Sequence, residues 1–341
     1  MPNIPVTALL DQAAARFGRR TALVFFGRRT SYRALARSAE CFAAGLAGLG
    51  VRAGDRVALI MPNCPQFVTA YYGTLRLGAV AVPVDPRYTR SELQRQLVDS
   101  GAVVAVVYDG AYEKVASVRP HCVIRHVVSA SLSDELPLRL RWLLRMPLAR
   151  SRALCARLGV AGHQTADAVP YTRLLRSRPT PGRRAEDVPA NRAAVLQYTG
   201  GTTGASKGVM LSHRNLVANA HQIRSWYPQL RDGRETWIAV LPFCHLYGLT
   251  LALHVGVLAG ARMVLHPDSD AESLLRSARR WKPTFLAGVP QAFDALLGRP
   301  AEEREALRPL RICVSGRCGC RPRPSTASGP RPEPNSSRAT G

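Results

Sequence analysis

Most of the chemistry legible in this chain is concentrated in YTGGTTGASKG, residues 198–208. Gly200, Gly201, Gly204 and Gly208 tolerate positive backbone torsions and let main-chain N–H groups approach an anion closely. Thr199, Thr202, Thr203 and Ser206 add hydroxyl donors, and Lys207 adds a compact positive charge suited to phosphate. A polyphosphate-binding loop is the chemistry this composition supports. It is not a Walker-type P-loop, because Lys207 lies between Ser206 and Gly208, where that motif needs Gly before the lysine and Ser or Thr after it. The dinucleotide pattern G-x-G-x-x-G is absent from it as well. A simple Gly/Thr turn is the alternative, and the density of glycines, hydroxyls and lysine weighs against it.

An apolar strand over 193–197 is expected to lead into this loop, and a helix to follow it. Upstream, Leu35, Ala39, Phe42, Leu46 and Leu49 recur at helical spacing, with Gly50 placed to end the helix. Gly54-Asp55 turns into the run VALIM (57–61), Pro65 opens a helix with Phe67, Tyr71, Leu75 and Gly78 on its face, and AVAVPV (79–84) reads as a strand. Thr89 and Glu92 have capping-box spacing for a third helix, which Gly101 closes before VVAVVY (103–108). Downstream, strands are expected around 237–241, 262–266, 284–290 and 310–316, with a helix at 271–280. Apolar strands that do not alternate with polar residues, separated by helices, predict an α/β fold whose parallel sheet is covered on both faces.

The chain has 341 residues, of which 46% are hydrophobic and 21% charged, so a folded globular core is expected. Its net charge of +24 would attract nucleic acid, anionic lipid or phosphorylated ligands. Yet the only lysines are Lys114, Lys207 and Lys282, against 44 arginines. That bias points to a GC-rich coding sequence, and no nucleic-acid readout motif accompanies the charge. The surplus also gathers in two places: a basic excursion within residues 119–190, and residues 317–341. Within the excursion, 136–159 mixes Leu, Trp142 and Met146 with arginines. It reads as a solvated surface helix divided at Pro147, or as a segment lying on an anionic membrane face. The eight cysteines form no metal-spaced pair of pairs, and the N-terminal residues lack a signal-peptide pattern, so reduced thiols in the cytoplasm are expected.

The string YTGGTTGASKGVMLSHRN resembles the nucleotide-phosphate signature of the adenylate-forming (AMP-binding) superfamily, which includes acyl-CoA synthetases and luciferases. GVRAGDRVAL (50–59), PNCPQFVTAYYGTLRLGAVAVPVDPRYT (62–89), LPFCHLYGLT (241–250) and the GVP at 288–290 follow in the family's order, so the resemblance spans roughly residues 5–316. Gly201, where many members carry Ser, and the MLSHRN that follows look most like the bacterial long-chain fatty-acid–CoA ligases. The resemblance implies the N-terminal adenylating domain of the acyl-CoA synthetase/luciferase type, with stacked, helix-covered sheets. It implies ATP and Mg²⁺, a fatty acid activated to an acyl-adenylate with release of pyrophosphate, and transfer of the acyl group to coenzyme A or a carrier-protein thiol.

Under that resemblance Thr199, Gly200, Gly201, Thr202, Thr203, Gly204 and Lys207 would hold the ATP phosphates, and Ser315 and Gly316 would border the adenine pocket. His245 would stand beside the acyl carboxylate, and Gly288, Val289 and Pro290 would line the acyl tunnel. No protein ligand for a metal is singled out. The pattern stops after Ser315-Gly316: the aromatic-Gly-x-Thr-Glu and Thr-Gly-Asp motifs, a later arginine and the C-terminal lid domain with its lysine are not found. A truncated and impaired ligase is therefore expected, with a non-catalytic nucleotide- and acyl-binding fragment as the alternative. Residues 317–341, RCGCRPRPSTASGPRPEPNSSRATG, contain no Val, Ile, Leu, Met or aromatic residue. They are expected to be disordered, with an out-of-frame reading of GC-rich DNA as their origin or a Pro/Arg-rich interaction tail as the alternative.

Overall fold

The computed structural model describes residues 2–144, 146, 155, 167–179, 188–199 and 207–316. Gly200 to Gly204, Pro147 with most of the segment around it, and the tail 317–341 lie outside the described residues. Two sheets form the frame. The first contains β1 (Thr21–Phe25) and β2 (Arg28–Ser31). The second is built from β3 (Arg56–Ile60), β4 (Val80–Val84), β5 (Val104–Tyr108), β6 (His126–Ala130), β7 (Val169–Pro170), β8 (Ala193–Thr199) and β9 (Lys207–Ser212). The chain then returns to the first sheet with β10 (Thr236–Ala239), β11 (Arg262–Leu265), β12 (Phe285–Gly288) and β13 (Ile312–Ser315). The strand orders are β13-β12-β10-β11-β1-β2 and β7-β6-β5-β3-β4-β8-β9. Pairing is parallel except at the hairpins β1–β2 and β8–β9.

Side-chain alternation along each strand divides it between two cores. In β3, Val57 and Leu59 face the space between the sheets, whereas Ala58 and Ile60 pack outward against Leu93 and Leu97. In β10, Trp237 and Ala239 face inward while Ile238 packs outward with Leu274 and Leu275. Because both faces are covered, neither strand shows polar alternation in its sequence. Helices α1 (Val6–Phe17), α2 (Tyr32–Gly48) and α3 (Pro65–Arg76) contribute to the inner layer. Every residue of α3 is buried, so it has no solvated stripe. Helix α4 (Arg90–Ser100) carries the expected capping box of Thr89 and Glu92 and is followed by Gly101.

Two sequence expectations are corrected, and one element is added to them. No helix directly follows the 200–206 loop; Lys207–Ser212 forms β9, antiparallel to β8, and the helix His213–Trp226 begins only after Ser212 caps it. Gly208 is a poor helix former, and the ladder satisfies an edge of β8 that a helix would leave open. The hairpin β1–β2, absent from the sequence reading, turns at Phe26-Gly27, both at positive φ. Gly78 lies beyond the end of α3, not on its face. The apolar stretch after Leu249 falls within a π-helical run, Gly248–His254, continued by the short helix Val255–Leu258. Among the described residues no helix is long and apolar enough to cross a membrane.

The inner layer also holds two imidazoles. His254 Nε2 shares a 2.8 Å hydrogen bond with the Tyr71 hydroxyl, and His213 Nδ1 accepts from the Val6 N–H at 3.2 Å. Burial lowers His213 from its ordinary 6.5 to about 4, and burial with the neighbouring His213 lowers His254 to about 3. Below pH 6.5 the unfolded chain therefore takes up protons that the folded chain refuses, and stability declines until about pH 4 for His213 and about pH 3 for His254. Urea unfolding at pH 7 and pH 5 should differ by on the order of 2 kcal/mol for each histidine. His213→Gln should remove about half of that difference; an unchanged pH dependence would refute the assignment.

Candidate active site

Parallel strands of both sheets point their carboxyl ends toward one cavity of about 610 Å³. Met61 to Asn63 after β3, Asp85 to Arg87 after β4 and Tyr108 at the end of β5 supply one wall. The segment after β10, including His245, and Val289 and Pro290 after β12 supply the other. Of the sequence-predicted residues, His245, Val289 and Pro290 thus meet in a single space. Gly288 sits beside them as the last residue of β12, in register with Ser315 of β13, and its carbonyl accepts from the Gly316 N–H at 3.2 Å. Gly316 lies against the Tyr247 ring, which a Cβ there would approach to 2.6 Å. The start of β13 is held by Arg311, whose Nη2 donates to both carboxylate oxygens of buried Glu235 at 2.6 and 2.7 Å.

A buried amide fixes the loop that carries His245. Asn63 Nδ2 donates to the Ala239 and Leu241 carbonyls at 3.0 and 2.8 Å, and its Oδ1 accepts from the Phe243 N–H at 2.8 Å. This clamp joins the end of β3 in one sheet to the end of β10 in the other. The loop then turns tightly enough that a Cβ on Gly248 would lie 2.2 Å from the Pro242 carbonyl oxygen, so a larger residue at 248 requires the backbone to move.

His245 is oriented by an acid that the sequence reading did not single out. Its Nε2 lies 3.3 Å from Oδ2 of Asp85, a buried residue at the end of β4. The same carboxylate accepts from the Arg87 backbone N–H at 2.9 Å and from Arg87 Nε and Nη2 at 3.0 and 2.7 Å. Burial alone would raise the Asp85 carboxyl, but hydrogen bonds from His245 and Arg87 outweigh it and hold it below the usual carboxylate range. Lys114 Nζ fixes this turn by donating to the Pro86 and Tyr88 carbonyls at 2.6 and 3.0 Å. The available signals were an Asp directly after an apolar strand in PVDPRYT, and an Asn three residues after another in MPNCP.

The phosphate-loop candidates connect to this cavity through β8. Thr199 and Lys207, which flank residues 200–206 in the chain, face each other as the last rung of the β8–β9 ladder. Gln197 Nε2 donates to the Cys244 carbonyl at 2.9 Å, and the Tyr198 hydroxyl bonds to Asp99 on α4. Lys207 is exposed and, among the described residues, makes no ion pair that would oppose a phosphate. Asp85, Cys244 and His245 place one ligand atom each within 4.8 Å of one another. That set does not suit Mg²⁺, which takes oxygen ligands. The Cys244 thiol is pushed up to about 12 by burial and the Asp85 charge, and the one carboxylate is already engaged by Arg87.

Two helix-covered sheets sharing a cavity at their carboxyl ends, with Gln197 of β8 bonded to the loop that forms one wall of it, define an adenylate-forming type of enzyme domain. The chain belongs to the AMP-binding enzyme family, whose sequence pattern matches residues 10–328, past the point where the resemblance was read to stop. It is 33% identical over 317 residues to a long-chain-fatty-acid–CoA ligase of Bacillus subtilis (strain 168), covering 93% of this chain and 56% of that relative. A ligase of the same name from Yersinia pestis is 33% identical over 315 residues, covering 90% and 54%. Among solved structures, a long-chain-fatty-acid-CoA ligase from Archaeoglobus fulgidus superposes with a TM-score of 0.70 at 26% identity, covering 87% of this chain and 54% of that one. The anthranilate CoA ligase AuaEII, in complex with anthranoyl-AMP, shares the fold with a TM-score of 0.76 at 23% identity, covering 92% and 55%. The chain thus spans about half the length of the curated relatives it matches.

Asn63→Ala would leave two carbonyls and one N–H of the His245 loop without their partner. It should cost about 2–4 kcal/mol in urea unfolding and accelerate amide exchange at Phe243. Unchanged protection at Phe243 would mean that the loop is held by other contacts.

Proposed function

We propose that this chain is the substrate- and nucleotide-binding portion of an ATP-dependent ligase that activates a long-chain fatty acid to its acyl-adenylate and passes the acyl group to coenzyme A. The observation that carries this reading is the link from the base of the phosphate loop to the acyl site: Gln197 on β8 bonds directly to the loop bearing His245. In such a reaction ATP supplies the electrophilic α-phosphorus. Thr199 and Lys207 stand where donors and positive charge would steady its phosphates, a positioning and electrostatic role. His245, held by Asp85, faces the cavity in which the carboxylate would sit, and Val289 and Pro290 offer apolar wall for the acyl chain. The names of the relatives support a fatty acid as the acid, and Mg²⁺ is expected on the phosphates themselves. A cytoplasmic location fits this chemistry.

A peripheral membrane contact through 136–159 is a second reading. The helix Leu138–Leu144 leaves Leu138 72% and Trp142 67% exposed, with Arg139 and Arg141 between them, as an interfacial segment would. Leu138→Ser with Trp142→Ala should abolish sedimentation with anionic vesicles if it holds.

ATP–pyrophosphate exchange with palmitate tests the main reading. Exchange by the chain should run about 10²-fold above a Lys207→Ala control. Equal rates in the two proteins would leave only a non-catalytic nucleotide- and acyl-binding piece.

A further inference from the structure

At the far end of β11 from the cavity, three guanidinium groups converge on one indole. Trp281, the last residue of the helix Ala271–Trp281, packs on Val24 of β1 and Val264 of β11, on the outer face of the six-stranded sheet. Around its ring stand the Cζ atoms of Arg29 at 4.9 Å, Arg280 at 5.1 Å and Arg262 at 5.7 Å from the centroid. The register explains the convergence. Arg29 on β2 pairs with Val24, Val24 with Val264, and Arg262 lies two residues before Val264, so these side chains share one sheet face. Gly27, at φ 93°, leaves room for Arg280: a Cβ there would lie 3.2 Å from its Nη1.

None of the three makes an ion pair among the described residues. The Nε of Arg262 is buried without a hydrogen-bond partner, a donor held out of water and left unused. Burial, and then the positive charges of Arg29 and Arg20, press the Arg262 guanidinium below its ordinary value. The ring faces and the carbonyl end of the helix attract cations and account for the gathering. They supply no acceptor for the remaining N–H groups.

The geometry points to an anion site in which Arg29, Arg262 and Arg280 bind a phosphate group over Trp281, separate from the nucleotide loop. Planar guanidinium forks match phosphate oxygens in pairs, and a doubly charged phosphoryl group can neutralise more than one of them. The group could be carried by a free phosphate or by a phospholipid headgroup, and the chemistry at the arginines is the same.

Calorimetric titration with pyrophosphate should use the full chain carrying Lys207→Ala, so that binding at the nucleotide loop is suppressed. One binding event should remain, and adding Arg29→Gln with Arg280→Gln should weaken it at least about 10-fold. Both arginines are exposed, so the thermal midpoint should stay that of the parent. Arg29→Lys with Arg280→Lys keeps the charges without the forks and should give an intermediate loss. Sedimentation with phosphatidylglycerol vesicles, against phosphatidylcholine, forms the second arm. Vesicle binding lost in the Gln pair, without pyrophosphate binding, assigns the phosphate to a lipid, whereas a contact through Trp142 would survive that pair. If neither ligand responds to the Gln pair, the site does not exist, whatever the exchange assay says about the nucleotide loop.

Discussion

Three hydrogen bonds from the carboxamide of Asn63 join the ends of the two sheets, and the cavity wall that carries His245 is held by them. Parallel strands deliver their last residues to a common edge, but two separate sheets have no backbone ladder to hold those edges in register with each other. Apolar packing in the inner layer is strong and non-directional. It brings the sheets together without setting their mutual offset. A buried amide that must satisfy an N–H on one side and two carbonyls on the other has few acceptable positions. That precision passes to His245 two residues beyond Phe243, and from there to the Asp85 turn on β4.

Much of the frame was legible because its causes are local. Thr89 with Glu92 and Gly101 bound α4 as written, and the unalternating strands announced sheets buried on both faces. The strand Lys207–Ser212 was not legible, because KGVMLS acquires its conformation from pairing with β8, a contact that local propensity does not report. The same holds for β1 and β2, which enter a sheet otherwise made of strands more than two hundred residues later. At the site, the histidine stood out by resemblance. Asn63, Asp85 and Gln197 did not, since a single polar residue at a strand end is indistinguishable from an ordinary loop residue until its distant partners are in place.

The arginine surplus also looks different in three dimensions. Several arginines are spent on fixed structural bonds: Arg311 on Glu235, Arg56 on the Ser100 and Gly101 carbonyls, Arg224 on the Tyr227 and Leu230 carbonyls. The three lysines occupy distinct places. Lys114 fastens the Asp85 turn, Lys282 ends its helix in a left-handed conformation, and Lys207 opens β9 opposite Thr199. A net charge therefore says little about partners until each cation has been assigned its neighbour.

The rung formed by Thr199 and Lys207 also fixes an address. An antiparallel ladder holds both strands, so these two side chains are neighbours in space although seven positions separate them in the chain. The same β8 reaches the loop bearing His245 through Gln197. The antiparallel strand that replaced the expected helix thus works as a bracket, tying the Lys207 cation to the strand that is bonded to the cavity wall.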